Sequence, residues 1–139
     1  MIREATRDDI PVLLEMGQRF AQKARLLEHV GYDAANMENT FGVMIDAPDH
    51  VIFIGESGAI GAMSGPHPFN YAHKIAQELF WWSEGREGLR LLTAFEEWAK
   101  GFCQSARMAS LHAIKPEATG RLFERRGYIP LEHGFIRIF

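Results

Sequence analysis

One cysteine, Cys103, is all the thiol chemistry that this 139-residue chain holds. Without a second thiol there is no internal disulfide, and without a Cys-x-x-Cys pair there is no zinc knuckle or redox couple. A reducing compartment, the cytoplasm, is therefore expected. Excess positive charge is missing too: 15 Lys and Arg stand against 18 Asp and Glu, a formal charge of −3. A polyanion such as nucleic acid, or an anionic membrane surface, gains nothing from that balance, and neither is expected as a partner. No run approaches about 18 uncharged apolar residues, so no spanning helix is expected. The start, Met1-Ile2-Arg3-Glu4-Ala5-Thr6, meets acidic residues without the apolar block of a secretory leader. Metal chemistry also has little to stand on. The six histidines include no His-Glu-x-x-His helix, and His67 and His73 lie on a loop-like segment. The default for His29, His50, His112 and His133 is core or surface packing, and for Cys103 a buried, inert thiol.

Large apolar residues are plentiful: 10 Phe, 3 Trp and 6 Met suffice for one core without a metal or disulfide staple. A chain of this size buries roughly 65–70% of its extended surface. No repeat, linker or low-complexity run divides it, so residues 1–139 read as one domain.

The periodicities give the element order. Ile2 to Ala5 reads as a short strand, and Thr6, Asp8, Asp9 and Pro11 supply the cap, acidic turn and early proline of a helix start. Ile10, Leu13, Leu14, Gly17, Phe20, Ala21 and Ala24 then recur at threes and fours, as one face of a helix requires. A second helix runs from Asp33 to Ile45 and stops at Ala47-Pro48-Asp49. Val51 to Ile54 and Ile60 to Met63, joined by Glu56-Ser57-Gly58, read as a hairpin. Gly65 to Asn70 reads as a proline-containing loop, and the second half of Ile75 to Trp82 as a buried strand. Gly85 and Gly88 introduce a helix from Arg86 or Glu87 to Phe102. A strand over Met108 to Ile114, a helix over Pro116 to Arg126 with Gly127 as its stop, and closing strands over Tyr128 to Leu131 and Phe135 to Phe139 complete the chain.

Three segments carry a family resemblance. Ile2-Arg3-Glu4-Ala5-Thr6-Arg7-Asp8-Asp9-Ile10 is similar to the opening strand and helix of the GNAT (GCN5-related N-acetyltransferase) family. Glu78-Leu79-Phe80-Trp81-Trp82, a glycine turn and Leu89-Arg90-Leu91-Leu92 resemble the central strand and cofactor-binding helix of its small phage and bacterial branch. Leu122-Phe123-Glu124-Arg125-Arg126-Gly127-Tyr128 resembles its Leu-Tyr-x-x-x-Gly-Phe segment. The resemblance spans nearly the whole chain and implies a mixed α/β GNAT-like fold, in the order β-α-α-β-β-β-α-β-α-β-β. It further implies acetyl-CoA as donor and direct transfer of the acetyl group to a primary amine of a small molecule or peptide.

The site residues follow from chemistry and resemblance together. A diphosphate needs several converging N–H donors, which a helix start after a glycine turn supplies. Gly85, Arg86, Glu87, Gly88, Leu89 and Arg90 fit that need, with Arg86 and Arg90 able to add charge-assisted bonds; on their own the two glycines read as a tight strand-to-helix connection, and it is the resemblance that favours the binding role. The backbone of Phe80, Trp81 and Trp82 would hold the thioester arm, Phe123 lies at the position of the family's tyrosine acid, and Glu78 is the candidate general base. The alternative for Glu78 is a solvated residue at the strand's start. The two tryptophans read more simply as core on both faces of the sheet than as a ligand wall. His67, Phe69 and Tyr71 stand where an acceptor pocket would have its border.

Departures from the family pattern are specific. The turn is Ser83-Glu84-Gly85-Arg86-Glu87-Gly88 where the family has Gln/Arg-x-x-Gly-x-Gly/Ala, and Phe123 has no proton to give. Pro116 stands where the family has an asparagine before the last helix, and Glu84 and Glu87 must turn away from any phosphate. These motivate a second reading, a catalytically impaired protein of this fold serving as an acyl-CoA-binding or protein-interaction module. The apolar closing strand Ile136 to Phe139 also suits sheet extension across a homodimer.

Overall fold

The computed structural model describes residues 1–139. Strand β1 (Arg3–Glu4) leads through a 3-10 turn (Arg7–Asp9) into α1 (Ile10–Lys23), a single turn α2 (Leu26–His29) and α3 (Ala34–Asp46). Strands β2 (His50–Ile54), β3 (Gly58–His67) and β4 (Asn70–Ser83) follow, then α4 (Gly88–Lys100), β5 (Ser105–Arg107) and α5 (Pro116–Arg125). The sheet runs β1-β2-β3-β4-β5, antiparallel except for the parallel pair β4–β5.

Local chemistry explains the starts. Asp9 accepts the Thr6 N–H at 2.8 Å and the Arg3 guanidinium at 2.8 Å, tying β1 to the entry of α1. Arg3 and the Thr6 amide hold its carboxyl down at about 2. Asp33 caps α3 through the Asn36 N–H at 3.0 Å, and Gly127, at φ +93°, takes the left-handed turn after α5.

Two apolar layers sandwich the sheet. Ile10, Leu13 and Met16 of α1 and Phe41 and Met44 of α3 pack on Ile52, Ile54, Ala59, Phe80 and Trp82. Leu91, Leu92, Phe95 and Ala99 of α4 and Phe123 of α5 pack on Val51, Ile60, Ala62 and Ala76. Strand residues therefore alternate between the layers, as the pleat demands, and Trp81 and Trp82 serve opposite cores.

The structure corrects three expectations. Gly65–His67 is not loop but the end of β3, paired to β4 with only Pro68 and Phe69 at the tip. Proline fits there because β2 ends opposite Met63, so Pro66 lies on a stretch of β3 with a vacant side. Met108 to Ile114 is not a strand: β5 occupies Ser105–Arg107, and the chain leaves the sheet once β4 and β5 part. Neither closing strand forms over 128–131 or 135–139. Pro130 has no ladder donor, and Ile129, Leu131, Phe135, Ile136, Ile138 and Phe139 all face solvent.

Candidate active site

Two irregularities in β4 build the site. Gly61 pairs with Phe80 but Ala62 pairs with Glu78, so Leu79 is an extra residue, a β-bulge. Unbroken alternation would place residues 78 and 80 on one face. The bulge instead sends Phe80 into the α1–α3 core and turns Glu78 toward the α4–α5 face, opposite Ala62. Gly61 is needed opposite it, because a Cβ there would stand 2.3 Å from the Phe80 ring.

The second irregularity is the parting of β4 from β5. Their pairing ends at Gln77–Arg107, while β4 continues to Ser83. Beyond Gln77 no strand pairs with that edge, along which the backbone of Phe80, Trp81 and Trp82 runs. There Glu78 accepts the Ala109 N–H at 3.3 Å. Burial pushes the Glu78 carboxyl up to about 7, against the opposing pull of that amide bond. Glu78 is half-buried rather than solvated.

Past Ser83 the chain turns into α4. Glu84 N–H donates to Ser57 O at 2.8 Å, and the Ser83 hydroxyl donates to Gly85 O at 3.2 Å. The N–H groups of Arg86, Glu87, Gly88, Leu89 and Arg90 have no acceptor in the chain. Five consecutive N–H groups at the positive end of a 13-residue helix are thus left without an acceptor, the kind of donor set that an anion can satisfy. The acidic neighbours are turned away. Glu84 pairs with Arg19 of α1 at 2.7 Å, and Glu87 reaches back to the β2–β3 turn. Arg86 and Arg90 are exposed and engage no carboxylate.

Phe123 lies on α5 with its ring 5.8 Å from Trp81, whose indole N–H donates to Gly88 O at 3.1 Å. The strand, the turn, the first turn of α4 and the middle of α5 thus meet at one place. Tyr128 is a packing residue: its hydroxyl donates to Glu96 at 3.2 Å, and burial beside that carboxylate raises its pKa. His67, Phe69 and Tyr71 lie at the far tip of the β3–β4 hairpin, where His67 packs on Phe69 and His73 bonds Ser105. They lie at the other end of β4 from its unpaired edge. No cluster of three metal-ligating side chains exists. A cavity of about 580 Å³ lies between the start of α1 and α3 around Arg7, Asn39 and Asp46. That is the opposite end of β2 from the turn that touches α4.

Sequence reasoning missed the bulge, the seat of Glu87 and the Arg19–Glu84 pair. Only Gly55 and Gly61, glycines opposite bulky partners, signal the first two.

No family model matches this chain, and no curated protein matches it in sequence. Solved structures do match its fold. A protein of Agrobacterium tumefaciens assigned as an acetyltransferase superposes with a TM-score of 0.75 at 20% identity, covering 99% of each chain. A transcriptional regulator of Bacillus halodurans gives 0.74 at 19% identity, over 100% of this chain and 99% of that one. A Clostridium acetobutylicum protein assigned as an acetyltransferase, solved with acetyl-CoA, gives 0.75 at 12% identity, over 99% and 94%. The chain has the GNAT fold, a mixed α/β architecture around a five-stranded sheet.

Proposed function

We propose that this protein is an acetyl-CoA-dependent N-acetyltransferase that moves an acetyl group directly to a primary amine of a small molecule or peptide. The observation that carries the reading is the run of five unpartnered amides, Arg86 to Arg90, beside the edge where β4 has lost its neighbour. A diphosphate satisfies the amides, and the uncovered backbone of Phe80 to Trp82 suits the amide-rich arm of the same carrier. Arg86 and Arg90 add charge to the phosphate end. The fold neighbour solved with acetyl-CoA supports the choice of donor.

Bound acetyl-CoA supplies an activated thioester, and the remaining tasks fall to the chain. An amine with pKa near 10.4 costs about 4–5 kcal/mol to deprotonate at pH 7. Glu78, ionising at about 7, is matched to accept that proton. Its bond to the Ala109 amide fixes one carboxylate oxygen and leaves the other free. No covalent intermediate with the protein is required. Phe123 offers the departing thiolate no proton, and a general acid is worth typically 10²–10⁴-fold, so turnover is expected to be slow. That same residue favours the second reading, a protein of this fold that binds acyl-CoA without transferring the acyl group. No helix is long and apolar enough to cross a membrane, and the lone free Cys103 suits the cytoplasm.

Thermal unfolding with and without acetyl-CoA, followed by thiol release across a panel of primary amines, tests both readings. Binding stabilises by about 2.7 kcal/mol at a hundredfold excess over Kd. Stabilisation with amine-dependent thiol release is the expected result. Stabilisation alone supports the binding module, and no stabilisation rejects both.

A further inference from the structure

We infer that Glu87 is a positioning residue whose carboxylate, seated on the β2–β3 turn, keeps the first amides of α4 free for the diphosphate; this rests on the function proposed above. Glu87 is the one charged side chain that is buried, 7% exposed. Its two oxygens accept the Glu56 N–H at 3.0 Å and the Ser57 N–H at 3.3 Å. The turn they hold is itself closed by Gly55 N–H to Gly58 O at 2.9 Å. The chain from Glu84 to Glu87 thus lies against residues 55–58, with Glu84 N–H on Ser57 O as a further tie.

The placement of this carboxylate matters because Glu87 is also the N-terminal flanking residue of α4, yet its side chain caps nothing in that helix. A carboxylate at a helix N-terminus is drawn to the helix's own free amides and to its dipole. Here two amides of another element satisfy it instead. The potential competitor for the amides of α4 is therefore removed, and the same two bonds fix the direction in which those amides point.

Gly55 makes the seat. A Cβ at that position would stand 2.0 Å from Glu87 Oε2 and 2.7 Å from its Cδ, with the flexible end of Ile2 next at 2.8 Å. Gly55→Ala therefore evicts the carboxylate without changing any charge. Glu87→Asp, one methylene short, unseats it with the glycine intact.

The experiment is calorimetric titration of the full chain with acetyl-CoA and with S-acetyl-pantetheine, which lacks the diphosphate. Gly55→Ala and Glu87→Asp are expected to weaken acetyl-CoA binding by about tenfold or more, the scale of one lost charge-assisted interaction. Acetyl-pantetheine binding should change less than about twofold. Adding Glu87→Ala to Gly55→Ala should recover most of the loss, since the displaced anion is then gone. Glu84→Gln, which removes a charge from the same loop but no seat, should weaken neither ligand.

Equal weakening of both ligands, or a double variant that binds worse than Gly55→Ala alone, would show that residue 87 only stabilises the fold and overturn the inference. If Gly55→Ala does not fold, Glu87→Asp carries the same comparison. Failure of the wild-type chain to bind acetyl-CoA would instead overturn the proposed function, and the inference with it.

Discussion

Replacing Glu78 by glutamine removes an ionisable group but keeps an oxygen that can accept the Ala109 N–H. Burial raises the Glu78 carboxyl from 4.5 to about 7. Between those values the folded chain holds a proton that the unfolded chain has released. The folded state then binds more protons than the unfolded one, so stability falls as pH rises through that window. At 1.36 kcal/mol per unit the loss is at most about 3 kcal/mol. Solvent reaching a half-buried group reduces it to roughly 1–3 kcal/mol. Below the lower value both states are protonated and the contribution vanishes. Glutamine cannot ionise, so the variant lacks this slope. Urea unfolding checks it directly. The two proteins should agree within about 0.5 kcal/mol near pH 4, and the variant should be the more stable by roughly 1–3 kcal/mol near pH 8. Parallel loss of stability in both proteins would refute the reasoning, because Glu78 would then ionise as an ordinary surface carboxylate with no fitness to act as a base near neutrality.

Other perturbations follow from the same geometry. For Asp9, whose carboxyl sits at about 2, the stabilisation is present above its unfolded value and disappears as pH falls through about 2. Asp9→Asn should cost about 1–2 kcal/mol at neutral pH and approach wild type in strong acid. A gap that stays constant in an acid titration followed by circular dichroism would count against this. Gly61→Ala drives a methyl group into the Phe80 ring and should cost about 1–3 kcal/mol. Gly88→Ala meets Ser83 and Trp81 only at ordinary contact distances and should be neutral or slightly stabilising in thermal unfolding. Equal losses at the two glycines would contradict the bulge geometry.

Much of this fold is legible from local signals. The stripe from Ile10 to Ala24, the spacing of Met37, Phe41 and Met44, and that of Leu92, Phe95 and Ala99 locate α1, α3 and α4, because each helix hides one face and solvates the other. The hairpin of β2 and β3 is legible in the β-branched and aromatic run Val51 to Ile54, the turn at Glu56-Ser57-Gly58 and the apolar stretch from Ile60. What escapes is set by neighbours distant in sequence. The Leu79 bulge exists only in the register with Gly61 and Ala62. Pro66 belongs in a strand only because β2 has already ended. The apolar run after Met108 looks like a strand but loses its partner when β4 veers away. At the site, Glu78 and the glycine turn are readable as candidates. Glu87 reads as a repulsive charge, since nothing in its local sequence shows that a turn thirty residues earlier offers it two amides.

Acetyl-CoA binding at the start of α4 is tested most directly by following the backbone amide resonances of Arg86 to Arg90 while acetyl-CoA is added. These five signals are expected to move together and saturate with one dissociation constant, accompanied by Phe80 to Trp82 along the uncovered edge of β4. Acetyl-CoA that leaves the five signals in place, or that moves only residues around Arg7 and Asp46, would contradict binding at that helix start.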